Sequence, residues 1–139
     1  MEEKGIWLLF LFASCLIPFT SLLAGIFFLK RTTSKRGSLG YRSRLAMQND
    51  ATWRFAQSTC GIVLEMVAVA TFFPTIMLEV IGYFMEREVQ GMLTLLLITI
   101  QMVLVVFAIS SVDRSIKRNF DQNGQLKEDT KKRKQKSEK

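Results

Sequence analysis

Two carboxylates stand in an otherwise uncharged stretch: Glu65 and Glu79, in an apolar run from about Cys60 to Tyr83 that also holds Pro74. Fourteen residues separate them, which places them on nearly the same face of a helix. A carboxylate in hydrocarbon costs about 3 kcal/mol or more, so each is expected to face the bundle interior, pair with a base, or carry a proton. Two such groups could couple an ion or hold a ligand; as interfacial acids they would do neither. The base the sequence offers Glu65 is Arg42. Gln101, near the middle of the next apolar run with Thr94 and Thr99 beside it, reads as an interhelical hydrogen-bonding group.

Other reactive chemistry is sparse. The chain has no histidine, and Cys15 and Cys60 lie in or beside apolar runs without CxxC spacing. They read as small buried apolar side chains, with neither a disulfide nor zinc expected. There is no nucleophile-and-base pair, no metal-ligand spacing and no glycine-rich phosphate loop. No catalytic residue, metal site or cofactor is expected, and the chain is read as a non-enzyme.

The elements that must position these groups are long and apolar. The 139 residues carry a formal charge of +7, yet Ile6–Leu29 is a run of 24 residues without a charge. That is enough to cross a bilayer. The start lacks the cationic segment of a secretory signal, so a retained helix is expected, with Trp7 at an interface. Pro18 should kink it, Ser14, Thr20 and Ser21 should face a neighbouring helix, and Gly25 would allow close approach.

The expected organisation is all-α, an integral membrane bundle of three transmembrane helices. Residues 1–5 form an outer N-terminus, 6–29 the first helix and 30–54 a basic cytoplasmic loop. Residues 55–83 form the second helix, 84–90 an outer loop and 91–112 the third helix. Residues 113–139 form a cytoplasmic basic tail, disordered at its end. Seventeen of the nineteen Lys and Arg fall in the loop and the tail, while Lys4 and Arg87 fall on the opposite side. The positive-inside rule then places the N-terminus outside and the C-terminus in the cytoplasm. The tail, with Lys131-Lys132-Arg133-Lys134, reads as an anchor to anionic lipids, and no direct nucleic-acid contact is expected.

Residues 40–57 differ from everything around them, being short, basic and studded with aromatics. Asn49 or Asp50 suits the N-cap of a helix running into the second span, and Trp53 would then sit just before the lipid boundary. Gly40-Tyr41-Arg42-Ser43, Ala46-Met47, Asn49, Thr52-Trp53 and Ala56 together resemble the signature of the SdpI family. The ending Phe120-Asp121-Gln122-Asn123-Gly124 is similar as well. The chain departs from the family pattern at Ser43, where Thr is usual, and at Asp50-Ala51, where two acids are usual.

The resemblance implies a bacterial cytoplasmic-membrane protein that protects its cell from a hydrophobic peptide toxin and signals by holding a cytoplasmic repressor at the membrane. The motif residues singled out are Gly40, Tyr41, Arg42, Met47, Asn49, Thr52 and Trp53. Two alternatives stand beside immunity. One is a scaffold recruiting a cytoplasmic partner or anionic lipid; the other is a small transporter subunit using Glu65 and Glu79, for which a homo-oligomer could widen the pathway.

Overall fold

The computed structural model describes residues 2–32 and 35–138; Met1, Thr33, Ser34 and Lys139, ascribed above to the outer terminus, basic loop and tail, lie outside the described residues. Three long helices, α1 (Glu2–Lys30), α2 (Asp50–Gly82) and α3 (Arg87–Asn119), run up, down and up. Each is long and apolar enough to cross a membrane. Both outer helices pack chiefly on α2.

Lipid-facing side chains such as Phe12, Phe73, Leu95 and Phe107 are more than half exposed, while the buried residues are largely small or polar. That inversion suits a bundle whose solvent is hydrocarbon. Apolar side chains lose nothing outside, and small or hydrogen-bonding ones bring helices together.

The α1–α2 crossing rests on two glycines. A Cβ on Gly25 would lie 3.0 Å from the Gly61 carbonyl, and one on Gly61 would lie 2.9 Å from the Gly25 carbonyl. Ser14 and Ser21 are buried beside this contact line. Thr20 is not. It faces outward, and its hydroxyl donates to the Leu16 carbonyl at 2.9 Å. A hydroxyl that folds back on its own helix is satisfied without a neighbour. Helix α1 continues through Pro18 from Glu2 to Lys30.

The helices run wider than the expected spans, with α1 starting at Glu2, α2 at Asp50 and α3 at Arg87. Helix α3 continues past Val112 to Asn119, ending on Lys117 and Arg118, which complement the negative end of its dipole. The tail also folds, contrary to the expected disorder: Glu128–Ser137 forms α4. Acids lie in its first turn and Lys134 and Lys136 in its last, which favours a helix even without an apolar face.

Substituting Gly61 by Ala should cost about 1–3 kcal/mol, because backbone stands where the methyl would go. Gly91 is the control, since a Cβ there meets only Phe10 at 3.7 Å. Thermal unfolding in detergent should show Gly61→Ala melting well below wild type and Gly91→Ala at or above it.

Candidate functional site

The loop before α2 is held by side chains that reach its backbone. Asn49 is the N-cap of α2: its Oδ1 accepts from the Thr52 amide at 2.9 Å, and Thr52 Oγ1 accepts from the Asn49 amide at 3.0 Å. This reciprocal box satisfies donors that the helix start leaves open. The Asn49 amide nitrogen then donates to the Gly124 carbonyl at 2.6 Å, tying the helix start to the turn after α3. Gly124 has φ +74°, and a Cβ there would sit 2.5 Å from Asn49 Nδ2, so glycine answers both needs.

One turn on from Trp53, Gln57 points back at the loop. Its Oε1 accepts from the Tyr41 amide at 2.9 Å and its Nε2 donates to the Tyr41 carbonyl at 2.8 Å. A strand would bond Tyr41 in this way; here one buried amide does it. A Cβ on Gly40 would come within 2.5 Å of Gln57 Oε1, which explains the glycine by close approach.

Asp113 closes the ring from α3. Its Oδ1 accepts from Ser43 Oγ at 2.6 Å and from the Tyr41 hydroxyl at 3.1 Å. Burial, then the bond to Asp113, pushes the Tyr41 phenol from 10.0 to about 12. Ala46, Ala56, Cys60, Val112, Ile116 and Phe120 fill the space beneath, and Phe55 meets Phe120 edge-on at 5.3 Å. Beyond α3, Asp121 Oδ1 accepts from the Asn123 and Gln125 amides. Phe120 pairs with Leu126 in an isolated bridge. The motif, the start of α2, the end of α3 and the tail turn thus form one knot.

The motif residues divide between burial and exposure. Thr52 is fully buried and Trp53 is 1% exposed, inside the knot. The Trp53 indole Nε1 is buried without a hydrogen-bond partner. Met47 is half-buried. Arg42 is exposed and does not reach Glu65. Glu65 lies beside Gly25, fifteen residues into α2 from Asp50. At 1.5 Å per residue that is about 22 Å beyond the loop. Among the described residues the ion pair is Arg36–Asp50 at 3.8 Å, with Arg36 also donating to the Gln48 carbonyl.

At the opposite end, Trp7 is tied to α2. Its indole donates to the Glu79 carbonyl at 2.9 Å and its ring meets Tyr83 edge-on at 5.4 Å. Glu79 is fully buried, with its Oε1 in hydrogen-bond contact with Thr94 Oγ1 at 2.9 Å. Gln101 donates to Thr75 at 2.7 Å, an interhelical bond. Glu65 is only half-buried and stands about 21 Å along the helix from Glu79, so the two acids form no common site. Both cysteines are free, and among the described residues no group of His, Cys, Asp and Glu could hold a metal.

Sequence reading passed over Gln57 and Asp113. Gln57 follows Trp53 by four residues on one helical face, a polar residue on an apolar stripe, and that was the available signal. Asp113 looked like the plain end of a helix.

Two expectations follow. Gly124→Ala and Asn49→Ala should each cost about 1–2 kcal/mol, from αL strain or a lost cap. In a double-mutant cycle the cost of the double variant should fall short of the sum of the single costs, since both remove one contact. Because the folded Tyr41 value lies above the unfolded one, the stability it contributes is whole below about pH 10 and is lost as pH rises through about 12. An alkaline titration of phenolate absorbance should show a late step that Tyr41→Phe removes.

A model of the SdpI/YfhL protein family matches residues 33–111, a span holding the motif, α2 and most of α3. The chain belongs to this family. No curated protein and no solved structure matches it.

Proposed function

Starting from membership of the SdpI/YfhL family, we propose that this multi-pass membrane protein protects a bacterial cell from a membrane-active hydrophobic peptide. The observation that carries this reading is the family match across the motif and two of the three apolar helices. The basic end, with the knot, lies in the cytoplasm by the positive-inside rule, and the Trp7 end lies outside.

The motif's buried members are occupied in bracing the bundle, so peptide contact belongs to the spans. An apolar groove of about 250 Å³ lies between α1 and α2, lined by Pro18, Phe19, Leu22, Val69 and Phe72. A hydrophobic peptide lying in the bilayer would find it without crossing water.

A second reading has one specific support. Arg42, Arg44 and Arg54 are exposed and make no ion pair or hydrogen bond among the described residues. They are free to recruit a cytoplasmic regulator or an anionic headgroup.

Expression in a peptide-sensitive strain separates the two. Wild type should raise survival at least tenfold, Val69→Trp should abolish that gain by filling the groove, and the triple change of Arg42, Arg44 and Arg54 to Ala should preserve it. Survival unchanged by wild type against every candidate peptide contradicts the immunity reading. Protection lost in the triple variant, with Val69→Trp active, favours recruitment.

A further inference from the structure

Hydrogen-bond counting around Glu79 leads to an assignment that the family does not supply. Thr94 Oγ1 lies 2.9 Å from Glu79 Oε1 and 3.1 Å from the Gln90 carbonyl. A threonine hydroxyl has one proton to give. If Glu79 is ionised, that proton serves the carboxylate or the carbonyl, and the other contact is oxygen against oxygen. If the proton sits on Glu79 Oε1, both contacts close: Glu79 donates to Thr94 and Thr94 donates to Gln90.

The surroundings favour the second arrangement. Glu79 is 0% exposed and makes no ion pair among the described residues. From α1 it faces Cys15, within electrostatic range, and Trp7, whose indole proton is already committed to the Glu79 carbonyl. From α3 it faces Thr94, with Gln90 and Gln101 on the same stripe, all uncharged. Glu79 also lies in the last turn of α2, where unpaired carbonyls oppose an anion. Thr94 lies beyond the first turn of α3, too far in for that helix start to compensate. An ionised carboxyl so placed would be a buried, uncompensated charge.

Access is visible too. Glu79 Oε2 and Gln90 Nε2 are both buried without a hydrogen-bond partner. Gln90 lines a recess of about 280 Å³ at the Trp7 end, together with Glu3, Tyr83 and Arg87. The unpaired donor and the unpaired acceptor are two groups for a water entering from that end to bond.

We propose that Glu79 is an intramembrane proton-binding site, its protonated carboxyl donating to Thr94, which donates to the Gln90 carbonyl, and its proton exchanging with water that enters by the recess lined by Gln90.

Infrared spectroscopy of the protein in lipid at neutral pH tests this. A carboxylic-acid C=O band should be present, lost in Glu79→Gln, kept in Glu65→Gln and shifted in Thr94→Val, which removes the acceptor. Because an amide mimics the neutral acid, Glu79→Gln should melt close to wild type. On transfer to D2O the band should shift, and Gln90→Ala should change the rate of that shift by severalfold. No acid band in wild type, or one lost in Glu65→Gln and kept in Glu79→Gln, overturns the proposal. If the band is absent and NaCl raises the melting temperature where choline chloride does not, the site holds a metal cation, and the proton assignment is equally overturned.

Discussion

Tyr41 lies in a loop, yet the side chain of Gln57 satisfies both its amide and its carbonyl. That pair of bonds is the constraint from which the basic end of the molecule follows. A loop between two apolar helices must leave the bundle without stranding backbone polar groups at the edge of hydrocarbon. One buried glutamine solves this at the point where the chain turns into the bundle. The solution requires a residue without Cβ at position 40, and it fixes Tyr41 so that its hydroxyl meets Asp113. Ser43 joins the same carboxylate, which carries the loop across to α3. Asn49 extends the knot to the tail turn at Gly124.

The two ends of the bundle use polar groups differently. At the basic end they join segments that would otherwise be separate, although Trp53 Nε1 stays buried without a partner. Toward the Trp7 end, Glu79 and Gln90 are buried with one polar atom of each unpaired, and Gln101 is the same near the middle of α3. Unsatisfied groups in a low-dielectric interior are costly. Nearer the basic end, the Gly25–Gly61 crossing brings the α1 and α2 backbones together. About 21 Å of helix separates Glu65 from Glu79, which argues against a shared site.

The three helices were legible because uncharged runs longer than a bilayer admit few alternatives. Asn49 was legible as a helix start because capping chemistry is local in sequence; its reciprocal partner Thr52 was singled out only through the family motif. The contacts of Tyr41 with Asp113, seventy-two residues away, were not. No periodicity records which acid a phenol will meet. Arg42 was assigned to Glu65 because the two were taken to lie near one boundary, whereas Glu65 lies fifteen residues into α2 from Asp50. At 1.5 Å per residue that puts the acid out of reach. Trp53 was misplaced for a related reason. An indole near a span end is usually interfacial, and only the three-dimensional arrangement shows it 1% exposed within the knot. The helical tail reflects charge order along α4, which composition alone hides.

Native-state amide exchange at Tyr41 tests the central claim most directly. If Gln57 locks the loop, the Tyr41 amide exchanges at least a hundredfold more slowly than that of exposed Leu39, and Gln57→Ala brings the two rates together while α2 amides stay protected. Equal rates for Tyr41 and Leu39 in the wild-type protein would contradict the account.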